Sequence, residues 1–189
     1  SHHRLPSLIE YLTNEDPRQA ILFCNSRRSS EQLYDHLKKH LKSVEIIHGG
    51  LEQAKRTSLF RRFKRLDIRY MIATDIASRG LDFSHTSHVI NYDFPLHAES
   101  YTHRTGRTAR MGRKGIALTF YTPQDLRKLR ALLRVNQIAG PEWIGPSPDL
   151  SKPAAKPQAG SQSAGRRRSG KSGRRRPPRR KPRPRSEQA

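Results

Sequence analysis

Gln19-Ala20-Ile21-Leu22-Phe23-Cys24 is apolar after its first residue and runs straight into the polar triplet Asn25-Ser26-Arg27. A short unbroken apolar run ending in polar turn residues reads as a strand buried on both faces. The next stretch predicts a helix over 29–41, with Leu33, Leu37 and Leu41 at spacing four. The same alternation continues down the chain. Strands are expected over 44–48, 69–74, 87–92 and 115–121. Helices are expected over 52–65, with Leu59, Phe60 and Phe63 inward, and over 99–104. A last helix over 124–135 is opened by Thr122-Pro123, with proline in a first-turn position. Strands alternating with helices imply an α/β fold, a parallel sheet with helices on both faces. Such sheets gather ligands at the carboxyl ends of their strands. Asn25-Ser26-Arg27, His48-Gly49-Gly50 and Thr74-Asp75 each follow a strand and sit at that edge.

The chain carries a formal charge of +22 on 189 residues, so a polyanionic partner is expected, most simply a nucleic acid. From residue 151 to 189 there are 14 Lys and Arg against one Glu, a charge of +13. The first 150 residues hold 24 Lys and Arg against 15 acids, so the folded part is basic in its own right. The tail is made of Gly, Ser, Pro, Gln and Arg, with runs such as Arg166-Arg167-Arg168 and Arg174-Arg175-Arg176. It has too little apolar surface to offset chain entropy and is expected to be disordered. The division expected is one domain over 1–140 and a Gly/Pro/Ser/Arg-rich basic tail over 141–189. The tail is read as a salt-sensitive RNA tether, with a solubilising extension as the plainer role.

The single cysteine, Cys24, falls in the apolar run and is expected to be a buried thiol of a reducing compartment. No apolar stretch reaches the ~20 residues a membrane helix needs, and no signal peptide is legible. The opening Ser1-His2-His3 lacks an initiator methionine, as in a fragment or processed chain. A cytoplasmic location is expected, with a nuclear or nucleolar one as the alternative for a eukaryotic source.

A second stretch bears on function: Tyr101-Thr102-His103-Arg104-Thr105-Gly106-Arg107-Thr108-Ala109-Arg110-Met111. Arg107 and Arg110 are three apart, so on a helix they share a face. Two guanidiniums without a nearby carboxylate suit a phosphate chain or the charge of a phosphoryl-transfer transition state. A solvated basic helix end is the plainer alternative.

Several strings in order carry a family resemblance. Ile21-Leu22-Phe23-Cys24-Asn25-Ser26 is similar to motif IV of the DEAD-box RNA helicases. His48-Gly49-Gly50 with Gln53-Ala54-Lys55-Arg56 resembles their His-Gly and Gln-x-x-Arg elements. Ala73-Thr74-Asp75-Ile76-Ala77-Ser78-Arg79-Gly80-Leu81-Asp82 resembles motif V, and Asn91-Tyr92-Asp93-Phe94-Pro95 the strand and turn before motif VI. His103-Arg104-Thr105-Gly106-Arg107-Thr108-Ala109-Arg110 resembles motif VI itself, with Thr105 where the family more often has Ile. Over about residues 5–138 the chain thus resembles the carboxy-terminal RecA-like lobe of such a helicase.

That resemblance implies roles. Arg110 would be the arginine finger on the γ-phosphate of ATP, and Arg107 would share the phosphate and help close the cleft. Asp82 would accept a hydrogen bond from the ribose, with Gly80 allowing close backbone approach. Gly49, Arg56 and Thr74 would face RNA phosphates, with Gln53 and Asp75 positioning those contacts. His103 and Arg104 would contact the amino-terminal lobe and report nucleotide state to the RNA site. Asn25 is either an RNA contact or the cap of the following helix. Leu33, Leu37, Phe60, Phe63, Leu129 and Leu133 are assigned to core. Trp143 is assigned to a packing anchor, with base stacking as the other option.

The chain has no Gly-x-x-x-x-Gly-Lys-Ser/Thr loop and no Asp-Glu-Ala-Asp run. The phosphate cradle and the Mg2+ ligands are therefore expected on a separate amino-terminal lobe. This lobe alone is expected to be inactive, while the parent would be an ATP-dependent RNA helicase. Expected partners are RNA through its backbone, that amino-terminal lobe, and ribosomal or ribonucleoprotein particles; no metal site is expected here. The competing view is a non-enzymatic basic RNA-binding module or RNA chaperone fragment.

Overall fold

The computed structural model describes residues 3–78, 83, 86–108, 115–139, 141–145 and 148–150. Five strands form one sheet: β1 (Ala20–Cys24), β2 (Val44–Ile47), β3 (Tyr70–Thr74), β4 (His88–Asn91) and β5 (Ile116–Thr119). Their order across the sheet is β2-β3-β1-β4-β5, and every pairing is parallel. Parallel neighbours need crossovers. These are α2 (Arg27–Leu37), α3 (Gln53–Lys64), the single turn α4 (Asp75–Ser78) and α5 (Ala98–Thr105). Helices α1 (Arg4–Glu15) and α6 (Leu126–Val135) lie before and after the sheet in sequence.

Alternation along the strands sorts the core into two layers. Ala20, Leu22 and Cys24 of β1 join Tyr70, Ile72 and Ile90 against Leu8 and Leu12 of α1 and Leu33 and Leu37 of α2. Ile21 and Phe23 point to the other face, with Met71, Ala73 and Val89, against Leu59 and Phe63 of α3. Each such side chain, fully buried, contributes about 1.5–3 kcal/mol. A third cluster gathers Phe94, Leu129 and Leu132, with Leu133, Ile138, Trp143 and Leu150 packed on it. Trp143 meets the Tyr121 ring edge-on at 5.8 Å. Folded structure thus includes Trp143 and Leu150, beyond residue 140 where the sequence places the domain end. Residues 151–189, the greater part of the expected tail over 141–189, lie outside the described residues.

The element boundaries differ from the sequence expectation for local reasons. Helix α2 starts at Arg27, two residues early, because Ser26 is extended and its Oγ accepts from the Ser29 amide at 3.0 Å. The cap is therefore Ser26 and not Asn25. The last helix opens as a 3-10 turn, Pro123–Asp125, closed by a capping box between Thr122 and Asp125. Helix α1 was not expected at all, although Leu5, Leu8, Ile9 and Leu12 have helical spacing. Cys24 is fully buried, and burial first, then the Asp93 charge, pushes its thiol up to about 12. It is no nucleophile at neutral pH.

Candidate functional site

The carboxyl ends of β1, β3 and β4 converge on one side chain, Arg104 of α5. It is 1 % exposed. Its Nε and Nη2 donate to the two carboxylate oxygens of Asp75, both at 2.7 Å. Nη1 donates to Asn91 Oδ1 at 3.2 Å and to the Asp93 carbonyl at 3.0 Å. Nη2 also donates to Asn25 Oδ1 at 2.7 Å. A guanidinium has five N–H donors, and each of these contacts uses one. Its flat face lies 5.2 Å from the centre of the Phe23 ring. A bidentate, fully hydrogen-bonded ion pair is the arrangement in which a buried charge is tolerated.

The partners of Arg104 are themselves held. Asp93 accepts from the Asn25 amide at 3.0 Å and from Ser29 Oγ at 2.6 Å through Oδ2. Its Oδ1 accepts from Arg4 Nη1 at 3.0 Å, and that nitrogen also donates to the Tyr92 carbonyl at 2.8 Å. Asn25 Nδ2 donates to the Phe94 carbonyl at 2.9 Å, and Asn91 Nδ2 donates to Thr119 Oγ1 at 3.0 Å. Asn25 thus acts as a bridge between strand ends, with its side-chain oxygen and nitrogen both engaged. Arg104 itself is enclosed within its own lobe. What it joins is helix α5 to the β3 and β4 ends.

On the exposed side of α5, His103 faces solvent and Arg107 is half-buried. Arg107 Nε donates to the His103 carbonyl at 3.2 Å. The chain just after it is pinned, since Thr108 Oγ1 donates to the Thr86 carbonyl at 2.6 Å and the two residues form a parallel bridge. Thr105, the departure from the family pattern, bonds its hydroxyl to the Tyr101 carbonyl at 2.9 Å, so the added polar group is satisfied inside the helix. Arg110, Gly80 and Asp82, the other expected nucleotide residues, lie outside the described residues.

The expected RNA-facing residues occupy the adjoining strand ends. Thr74 closes β3 and Asp75 opens α4, while Gly49 follows β2. A Cβ built on Gly49 would lie 4.0 Å from Ile76 Cγ2, and Ile76 is 72 % exposed. Arg56 reaches the same turn: its Nη2 donates to the Ala77 carbonyl at 3.1 Å. Gln53 Oε1 accepts from Arg56 Nη1 at 2.9 Å, so Gln53 orients Arg56 one turn along α3. The Arg56 Nε is buried and has no acceptor among the described residues. Asp75, one residue from Thr74, is the carboxylate that Arg104 clamps. Gly49, Gln53, Arg56, Thr74 and Asp75 therefore form one edge, and Arg104 ties that edge to α5.

His48 orders the loop beneath Gly49. It is 4 % exposed, and its Nδ1 accepts from the Gly50 amide at 3.1 Å. The proton then sits on Nε2, which faces Glu31 Oε1 at 3.6 Å. Burial first, then the Arg27 charge, lowers its pKa below the ordinary imidazole value. Arg27 lies over this loop; a Cβ on Gly50 would come within 2.5 Å of Arg27 Nη1.

Sequence reasoning passed over Asn91, Asp93 and Arg4 as site residues. A signal existed for Asn91, an amide that follows the apolar pair Val89-Ile90 at the end of an expected strand. Arg4 had none, because its contact with Asp93 spans 89 positions.

A parallel sheet with its polar residues clustered at the strand ends, backed by an arginine clamp, defines a RecA-like lobe. Residues 3–112 match the family model described as the helicase conserved C-terminal domain. The chain belongs to that family, as the C-terminal domain of a DEAD-box protein. The DEAD-box ATP-dependent RNA helicase RhpA of Helicobacter pylori is 41% identical over 129 residues, 68% of this chain and 26% of RhpA. CshA of Bacillus cereus, also a DEAD-box ATP-dependent RNA helicase, is 43% identical over 130 residues, 69% of this chain and 25% of CshA. The chain thus spans about a quarter of the length of these relatives. Among solved structures, the C-terminal domain of the DEAD-box protein Dbp5 superimposes with a TM-score of 0.69 at 28% identity. That match covers 74% of this chain and 82% of the Dbp5 domain.

Proposed function

We propose that this lobe is the carboxy-terminal half of an ATP-dependent RNA helicase, completed by an amino-terminal RecA-like lobe. The observation that carries this is the Arg104 clamp. It joins α5, which bears His103 and is followed directly by the turn that carries Arg107, to the edge formed by Gly49, Gln53, Arg56, Thr74 and Asp75. In this reading Arg107 and Arg110 stabilise charge developing on the γ-phosphate of ATP. Asp82, with Gly80 beside it, takes the ribose. His103, exposed next to Arg107, meets the amino-terminal lobe. Arg56, the Thr74 hydroxyl and the Gly49 amide bind phosphate oxygens without reading bases, so sequence preference is weak. Cleft closure on ATP and RNA then strains and locally opens a short duplex, and hydrolysis reopens the cleft.

No three of His, Cys, Asp and Glu come together as a metal cage among the described residues. In this reading the Mg2+ ligands belong to the amino-terminal lobe. Alone, the lobe hydrolyses no ATP at a helicase rate.

The test is RNA-stimulated phosphate release by the chain alone and mixed with the amino-terminal lobe of the same enzyme. Activity is expected only in the mixture. It should fall ~10³-fold with Arg110→Ala and also drop with Arg107→Ala. A mixture as active with both alanines as without them would overturn the assignment.

A further inference from the structure

Helix α3 carries a feature that extends beyond the nucleotide and RNA edge. Gln53, Ala54, Thr57, Ser58, Arg61, Arg62 and Arg65 line a shallow open groove of about 420 Å³. All lie on the helix face turned away from Leu59 and Phe63, which pack on the sheet. Arg61, Arg62 and Arg65 are exposed. Arg62 is engaged by Glu45, with Nη1 donating to Oε1 at 2.9 Å. The guanidiniums of Arg61 and Arg65, one helical turn apart, have no carboxylate within ion-pair distance among the described residues.

We propose that this groove is a second stretch of RNA-backbone track, continuing the strand path that begins at Gln53 and Arg56. The inference rests on the RNA reading of that edge given above. Gln53 is the shared residue: it accepts from Arg56 and also lines the groove. From Gln53 to Arg65 the helix rises about 18 Å, with Thr57, Arg61 and Arg65 stacked at about 6 Å intervals. Hydroxyls and guanidiniums at that spacing match a phosphate chain running along the helix. The lining has no aromatic or large aliphatic side chain, so it lacks the anchor that a protein partner would need.

The test is the salt dependence of oligouridylate binding to the full chain. Four forms are compared: wild type, Arg61→Gln/Arg65→Gln, Lys39→Gln/Lys42→Gln and Arg56→Ala. Glutamine keeps a good helix former at both α3 positions. Lys39 and Lys42 follow α2, which packs on the opposite sheet face, so their loss controls for net charge. Removing two phosphate contacts should shrink the slope of log K against log salt by about 1.4 for a single strand. The arginine pair should show that loss and the lysine pair clearly less. Equal loss from both pairs overturns the groove, and Arg56→Ala still weakening binding would then leave the first RNA edge standing. An unchanged affinity for Arg56→Ala would instead break the continuity of the track at its start. An equal effect of the arginine pair on polyglutamate binding would overturn it in favour of an acidic protein partner.

Discussion

Arg104 and His48 show how a single side chain shapes this edge. Arg104 is buried only because Asp75, Asn91, Asp93 and Asn25 occupy all its donors. Removing one partner of such a pair leaves an uncompensated charge, at about 3–5 kcal/mol. The exposed Arg62–Glu45 pair contributes about 0–1 kcal/mol. His48 sets a pH dependence. Its folded pKa is lowered, as is that of His88, so below about pH 6.5 the unfolded chain takes up the proton first. Their contribution to stability is complete above that value and is lost as pH falls through it toward the folded pKa. Denaturant midpoints measured from neutral pH downward should show less acid destabilisation for His48→Asn, which keeps an acceptor for the Gly50 amide. A variant as acid-sensitive as wild type would contradict this. The sequence made His48 visible as part of a His-Gly-Gly string, but its burial and its Glu31 partner depend on where α2 packs. Arg104 was legible as a charged motif residue; its inward orientation was not, because its partners lie between 11 and 79 positions away.

At the scale of elements, periodicity carries most of the information. Every expected strand is present within two residues of its expected ends, because the buried runs are short and bounded by polar turns. Helix ends were less legible, because caps and not periodicity set them. Helix α3 is the clearest case. It ends with Leu66 at φ +66, its amide donating to the Phe63 carbonyl at 3.0 Å and that of Asp67 to the Arg62 carbonyl at 3.0 Å. This is the paired closure that favours glycine at the left-handed position. Leucine there pays about 1–2 kcal/mol in steric strain, and glycine recovers most of it against a smaller entropy loss. Leu66→Gly should therefore raise stability by about 0.5–1 kcal/mol, and Leu66→Val should lower it, as read from urea midpoints. Lower stability for the glycine form would mean that the half-exposed Leu66 side chain contributes more by packing than its backbone strain costs.

For the whole molecule, the sequence made the architecture and the family legible, because several motifs recur in order along an alternating pattern. It left open how the motifs join, and the structure supplies a physical link between them. The expected nucleotide side, α5, and the expected RNA side, the β3–α4 turn, meet at the Asp75–Arg104 pair. If that pair makes the two sides move as one body, weakening it should uncouple RNA binding from ATP hydrolysis. Lysine keeps the charge of Arg104 but cannot span Asp75, Asn25, Asn91 and the Asp93 carbonyl together. The decisive measurement is the ratio of ATP hydrolysis with and without RNA in the reassembled two-lobe enzyme. It should be made for wild type and Arg104→Lys at a temperature where circular dichroism shows both folded. The account predicts that the ratio falls about tenfold or more in Arg104→Lys, a coupling loss of about 1.4 kcal/mol, while hydrolysis without RNA changes far less. An unchanged ratio would contradict it, and would reduce the clamp to a piece of internal scaffolding.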